Sequence, residues 1–258
     1  MKKPSWVIEK EKSQRSAADA TVWLFGLHAV RDALQNSARF RIRLIATRNA
    51  ADRLSADIAA SGMVPEIADP RKFPAPLDPG SVHQGVALEV RPLDWGVSQD
   101  LLASAGPRST VLCLDRVTDP HNVGAVLRSA EVFGAQAVVA PARHSAPETG
   151  ALAKSASGAL ERQPYLRVRN LAATMNELKS MGYFLIGLDG EADMDIETAV
   201  ADAGDRPLAL VLGAEGPGLR EKTKATCDGL ACIPFAAEFG SLNVSNAAAV
   251  SLYAATRR

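Results

Sequence analysis

Leu208-Ala209-Leu210-Val211-Leu212-Gly213-Ala214-Glu215-Gly216-Pro217-Gly218-Leu219 is the stretch on which the fold turns. Five apolar residues in a row, without alternation, predict a strand buried on both faces, and the glycine-rich turn after it leads into a helix over residues 219–227. The same grammar recurs on either side. Apolar strands are expected at 111–114, 137–140, 165–168, 183–188 and 230–233, and helices at 123–133, 147–158, 171–181 and 242–256. Such alternation predicts an α/β domain over residues 110–258, with a mostly parallel sheet covered by helices on both faces.

Working back toward the N-terminus, residues 93–109 lack a clear period and carry Gly106-Pro107, which predicts a linker with room for a short helical turn. Before it, residues 21–92 read as a smaller α/β unit. It has an apolar entry at Val22-Trp23-Leu24-Phe25, helices over 28–35 and 51–60, strands over 41–46, 64–67 and 85–90, and a proline-rich loop over 70–79. Residues 1–20 alternate charged and small polar side chains and are expected to form a flexible arm.

The 258 residues carry 29 basic and 29 acidic side chains, so no global positive field recruits nucleic acid. A content of 47% hydrophobic and 22% charged residues excludes a disordered chain. No apolar run reaches the roughly 20 residues of a membrane span, and the polar start lacks a signal-peptide core, so a cytoplasmic protein is expected. The neutrality is also uneven. Residues 189–205 hold seven acidic side chains and no Lys or Arg, and without them 29 basic side chains face 22 acidic ones. Cys113, Cys227 and Cys232 show no CxxC spacing and the four histidines are scattered, so buried thiols and no metal site are expected.

Three segments carry more polar and glycine residues than a plain sheet requires, each just after a strand, where open parallel sheets bind ligands. The first runs from Asp115 to Gly124 into the helix bearing Arg128, with Asn122 the expected cap. In the second, residues 213–218, the glycines miss the GxGxxG dinucleotide pattern and Pro217 removes an amide, which disfavours a phosphate loop and, with it, a nucleotide-dependent oxidoreductase. That loop can instead wrap its backbone around a nucleoside and hold Glu215 at the sheet edge. The third places Ile233-Pro234-Phe235 ahead of Gly240-Ser241-Leu242-Asn243-Val244-Ser245-Asn246, with Ser241 the expected cap of the last helix and polar groups to spare.

In order and spacing, NVGAVLRSAEVFGA (122–135), LVLGAEGPGLR (210–220) and IPF…GSLNVSNAAAVSLY (233–253) are very similar to the three motifs of the SpoU/TrmH family of RNA ribose methyltransferases. Gly26-Leu27-His28-Ala29-Val30 and His83-Gln84-Gly85-Val86 resemble the small ribosomal-protein-like RNA-binding domain that precedes the catalytic domain in members acting on large-subunit ribosomal RNA, although His28 stands where relatives usually have Asn. The resemblance implies S-adenosylmethionine-dependent methylation of a ribose 2′-hydroxyl, a catalytic domain with a deep trefoil knot, and a homodimer. Carried over position by position, it implies methyl-donor contacts from Gly213, Gly216, Ile233 and Leu242, joined by Leu188 and Gly190. It gives catalytic and target-positioning roles to Asn122, Arg128, Glu215, Ser241 and Asn243. Glu215 is expected to orient Arg128 or Asn122, and His121 is read as a loop histidine.

Arg128 corresponds to the family's proposed base, yet a guanidinium with a pKa above about 12 cannot accept a proton while charged. We therefore read it as a cation that stabilises the developing alkoxide. For the RNA, Arg39, Arg41, Arg43, Arg48 and Arg53, opposed only by Asp52, are expected to form a phosphate-contacting surface on the first domain. A guanosine in ribosomal RNA is the expected target. A transfer-RNA ribose methyltransferase and a catalytically silent RNA-binding or assembly protein are the alternatives.

Overall fold

A computed structural model describes residues 20–234 and 242–258. They form two units, the first of the described residues up to Asp94 together with Glu148–Lys154, the second of Trp95–Pro147 and the described residues from Ser155 onward.

The first unit is a four-stranded sheet with helices. In chain order it contains β1 (Val22–Phe25), α1 (Leu27–Gln35), β2 (Arg41–Ala46), α2 (Arg48–Arg53), α3 (Ser55–Ser61), β3 (Glu66–Ile67) and β4 (Val86–Val90). The strand order is β1-β4-β2-β3, with β4 antiparallel to both neighbours and β2 parallel to β3. α1 forms because Leu27, Val30 and Leu34 recur at helical spacing and bury one face, alongside Leu24, Leu44, Ile45, Leu88 and Val90 from the sheet. The helix expected over 51–60 is in fact two. It starts earlier, capped by Thr47, whose hydroxyl accepts from the Ala50 amide at 3.3 Å, and it breaks at Leu54.

Glu148–Lys154 belongs to this unit, which composition gave no means of seeing. Glu148 pairs with Arg39 and accepts from the Leu93 amide at 3.2 Å. Gly150 sits where a Cβ would lie 2.3 Å from the Trp23 carbonyl oxygen and 2.5 Å from the Phe25 ring, so no larger residue fits.

The second unit contains α4 (Ser98–Ala103), β5 (Thr110–Asp115), α5 (Pro120–Val132), β6 (Ala137–Pro141), α6 (Gly150–Ala156, its start in the first unit), β7 (Tyr165–Val168), α7 (Leu171–Ser180), β8 (Phe184–Leu188), α8 (Ile196–Ala203), β9 (Leu208–Gly213), α9 (Glu221–Thr226), β10 (Gly229–Ala231) and α10 (Val244–Thr256). Its six strands are all parallel, in the order β10-β8-β9-β5-β6-β7. Cys113, Val139, Leu185 and Val211 pack with Leu171, Met175 and Leu178 of α7 in one hydrophobic cluster. α10 packs on α5, α8 and β9.

Residues 93–109, expected as a linker with room for a short helical turn, contain the boundary between the units and that turn. α4 lies among them, Leu102 is fully buried in that same cluster, and its carbonyl accepts from the Tyr183 hydroxyl at 2.9 Å. Burying one leucine contributes roughly 1.5–3 kcal/mol, so the part of this stretch from Trp95 onward is held to the second unit.

Candidate active site

Parallel strands bring their C-terminal ends to one edge, and there the three polar segments meet. At the end of β5, Asp115 is completely buried. Its carboxylate accepts from the Thr223 hydroxyl at 2.6 Å, from Arg220 Nε at 2.9 Å and from the Arg220 amide at 3.2 Å. This ties the exit of the glycine loop to the centre of the sheet. At the loop entrance Gly213 has no room for a side chain, since a Cβ would lie 2.1 Å from the Gly218 carbonyl carbon, and the Gly218 amide donates to the Ala214 carbonyl at 2.9 Å. The loop is thus folded back on itself, with Glu215 at its exposed tip.

α5 begins earlier than expected, and its cap is Asp119, not Asn122. Asp119 accepts from the His121 amide at 2.9 Å and Pro120 occupies the first turn, the arrangement that suits both residues. Asn122, released from capping, reaches across to Glu215, donating from Nδ2 to Oε1 at 3.0 Å. Asn243 caps α10, its Oδ1 accepting from the Ser245 amide at 2.9 Å. From the same side chain, Nδ2 donates to Asn122 Oδ1 at 2.9 Å and also to Glu215 Oε1. Three residues separated by up to 121 positions therefore form one hydrogen-bonded cluster. Glu215 Oε1 takes both amides, and Oε2 has no partner among the described residues.

Arg128 does not join them. It lies six residues beyond Asn122 on α5, which turns it about 120° away and carries it about 9 Å along the axis. It is exposed, and among the described residues it makes no hydrogen bond or ion pair. Glu215 orients Asn122, not Arg128. Ser241 lies outside the described residues.

Beside the cluster opens a cleft of about 600 Å³. Leu188, Gly190, Gly213, Gly216, Ile233 and Leu242, the six expected donor-contact positions, all line it. So do Asp189 and Lys224, which the sequence reading gave no role. Lys224 Nζ sits 2.6 Å from Asp189 Oδ2, and this hydrogen bond holds the Asp189 carboxyl below the usual carboxylate range. Asp189 directly follows β8, so its place at a strand end was the available signal. Burial pushes the Cys113 and Cys227 thiols up to about 12, so neither supplies a ready thiolate near neutral pH. Among the described residues no group of His, Cys, Asp and Glu could hold a metal ion.

In the first unit the arginine row is mostly spoken for. Arg39 is a correction: its side chain is fully buried against Glu148 and the Arg91 carbonyl and cannot reach a phosphate. Arg41 donates to the Leu34 carbonyl, and Arg43 binds Glu66 Oε2 through Nε at 3.0 Å and Nη2 at 2.6 Å. Arg48 and Arg53 are exposed and without partners among the described residues.

An all-parallel α/β unit with a ligand-sized cleft and a polar cluster at its strand ends, following a smaller α/β unit, is the class that fold and site define. The chain belongs to the SpoU rRNA methylase family, whose model matches residues 109–253, while residues 23–95 match the RNA 2′-O ribose methyltransferase substrate-binding model. It is 40% identical over 243 residues to the 23S rRNA (guanosine-2′-O-)-methyltransferase RlmB of Ralstonia nicotianae, covering 91% of this chain and 95% of that one. To the protein of that name from Salmonella typhi it is 39% identical over 241 residues, covering 91% and 98%. Among solved structures, the SpoU methyltransferase AviRb from Streptomyces viridochromogenes in complex with AdoMet shares the fold with a TM-score of 0.77 at 22% identity, over 96% of this chain and 92% of that one. An AdoMet-bound rRNA methyltransferase from Sinorhizobium meliloti does so with a TM-score of 0.74 at 22% identity, over 95% and 90%.

Proposed function

We propose that the protein transfers a methyl group from S-adenosylmethionine to the ribose 2′-hydroxyl of a guanosine in 23S ribosomal RNA. The observation that carries this is the Asn122–Glu215–Asn243 cluster at the rim of a cleft lined by all six expected donor-contact residues. Guanosine and 23S RNA follow the names of relatives near 40% identical over nine-tenths of the chain. Those names favour ribosomal over transfer RNA, and a polar cluster this complete favours catalysis over a silent assembly role.

The cleft fits the donor. Its volume lies within the roughly 300–1,000 Å³ of small-ligand sites. Leu188, Leu212, Leu219 and Ile233 offer apolar walls, while Asp189, Glu191 and Glu215 offer carboxylates to a cationic ligand. When bound there, S-adenosylmethionine supplies an electrophilic methyl group. The protein's share is alignment and charge. Holding the reactants at attack distance contributes roughly 7–11 kcal/mol. Asn122 and Asn243 fix Glu215 through Oε1, and Oε2 accepts a hydrogen bond from the ribose hydroxyl. Arg128, exposed, unpaired among the described residues and on another face of α5 from this cluster, stays charged; its part is to stabilise the oxygen as the hydroxyl proton leaves by way of Glu215, which requires the bound RNA to bring the ribose within its reach. Single-turnover rates for Arg128→Lys test this role. A slow step with an unchanged pH profile is expected, whereas near-normal chemistry titrating with a lysine pKa makes residue 128 the base.

A deep trefoil knot, a homodimer and a cytoplasmic location belong to the same proposal. The return of α10 over β9 and α5, which brings Asn243 back to Glu215, supports the knot. Exposed Val132, Val250 and Tyr253, with the Phe133 and Tyr253 rings edge to face at 6.3 Å, offer an apolar face to a second copy. No helix among the described residues is long and apolar enough to cross a membrane. Mapping ribose methylation in RNA from cells with and without the gene tests the whole. Loss of one guanosine methylation in 23S RNA is expected, and unchanged methylation in ribosomal RNA refutes it.

A further inference from the structure

The two sequence markers of the first unit meet at one end of its sheet, where the Leu27 amide donates to Gln84 Oε1 at 2.9 Å. β4 begins there beside the ends of β2 and β3, with Ala46 paired to both Val86 and Ile67. The loops leaving that end line an open cavity of about 610 Å³ in which Arg48, Asn49, Ile67, Asp69, His83 and Gly85 take part.

Four features of this cavity point to a ligand. Gln84, at φ 55°, occupies the left-handed region that non-glycine residues seldom adopt, and its side chain is fixed by the Leu27 amide. His83 is fixed twice over: Phe73 stacks on it at 4.1 Å between ring centroids, and its Nδ1 accepts from the Gly85 amide at 3.1 Å. That bond places the ring proton on Nε2, which has no partner among the described residues. Arg48 and Asn49 are likewise exposed and unpaired among the described residues, in contrast to the engaged Arg39, Arg41 and Arg43. Finally, Asp69, the one acidic side chain of the wall, accepts from the Arg71 amide, and Arg71 and Lys72 follow it with side chains unpaired among the described residues.

A pre-positioned ring, an exposed isoleucine and a free guanidinium form the combination that receives an unstacked base and its phosphate. We infer that this cavity binds one nucleotide of single-stranded RNA, its base against the His83 ring and its phosphate on Arg48. The inference rests on the reading of the protein as an RNA methyltransferase. It moves RNA recognition on this unit from the β2 arginines to the opposite termini of the loops that follow β2 and precede β4.

The test uses the full chain and a short fluorescein-labelled single strand of mixed sequence, with the same strand in a duplex as comparison, read by anisotropy across a salt series. Arg48→Ala is expected to weaken single-strand binding about tenfold and to lower the salt slope by about 0.7, the share of one phosphate. His83→Ala should lose about tenfold with the slope unchanged, because stacking releases no counterions, and His83→Phe should bind within about twofold of the parent. Arg43→Ala, whose side chain already holds Glu66, should change nothing. Far-UV circular dichroism and urea unfolding of each variant, read against the parent, confirm that the first unit is folded.

Binding of Arg48→Ala and His83→Ala within about twofold of the parent, at the parent's slope, overturns the inference. Equal losses on the duplex overturn it too, in favour of a plain charged surface. Unchanged RNA affinity combined with lost association with protein-containing ribosomal particles assigns the cavity to a protein partner instead. None of these readouts requires methylation, so a parent protein that methylates 23S RNA while the variants bind normally refutes the cavity alone, and one that binds through the cavity without methylating refutes the enzyme alone.

Discussion

Replacing Asp115 with alanine isolates what holds the glycine loop in place. In the folded chain its buried carboxylate receives the Thr223 hydroxyl, Arg220 Nε and the Arg220 amide. Hydrogen bonds to a charged group contribute roughly 1.5–3 kcal/mol each, and stripping one side of a fully buried pair costs about 3–5 kcal/mol. Arg220, however, is 50% exposed and regains water when its partner goes, while the buried Thr223 hydroxyl does not. The net loss should therefore fall near the lower end, about 2–3 kcal/mol. For a domain of this size each kcal/mol moves Tm by about 2–4 °C, so thermal unfolding should shift down by about 4–12 °C. The loop exit loosens at the same time, and calorimetric titration should show weaker binding of S-adenosylmethionine with Glu215 itself untouched. Arg220→Ala should weaken donor binding in the same direction. An Asp115→Ala protein that melts within a degree or so of the parent and binds the donor equally well refutes the clamp.

Three further perturbations probe other parts of the molecule. Gly213→Ala drives a methyl into the Gly218 backbone, so the loop must open, and donor affinity should fall at least tenfold with the far-UV circular dichroism preserved. Arg39→Ala removes one member of a nearly fully buried pair and should destabilise the first unit by about 3–5 kcal/mol in urea unfolding, while the salt slope of RNA binding stays that of the parent. Asp189 is held below the usual carboxylate range chiefly by its hydrogen bond from Lys224, so its contribution to stability is present above the unfolded carboxylate pKa and is lost as pH falls through the folded one. Lys224→Ala should erase that portion of the acid-side stability loss, measured as Tm between neutral and acidic buffer, and leave the curve unchanged if the pair contributes nothing.

Much of the second unit can be read directly from the chain because strands buried on two faces leave near-continuous apolar runs. The stretch 208–212 and its counterparts stand where expected, and the parallel sheet follows from them. The cleft was legible only as positions in three motifs. That all six line one cavity depends on the strand order, which periodicity does not encode. The start of α5 was readable and misread: Asp119-Pro120 is itself a cap and first-turn signal, stronger than Asn122. Arg39 was not readable, since its burial depends on Glu148, 109 positions away in a segment with no compositional break. The docking of the helical turn within residues 93–109 was hidden for a related reason. A single amphipathic turn such as α4 has too few residues to show a period, and its docking rests on the side chain of Leu102 and the hydroxyl of Tyr183.

The membership of Glu148–Lys154 in the first unit alters what counts as a module of this protein. The backbone passes between the units three times, after Asp94, after Pro147 and after Lys154. Trimming the N-terminal unit at the junction before Trp95 therefore leaves a piece of it behind, uncovers the Trp23 and Phe25 surface against which Gly150 lies, and strands Arg39 as a buried cation without its carboxylate. Swapping RNA-reading heads between related enzymes at that single junction should fail for the same reason. A working exchange has to carry residues 148–154 with the head, or graft a head whose own surface accepts them.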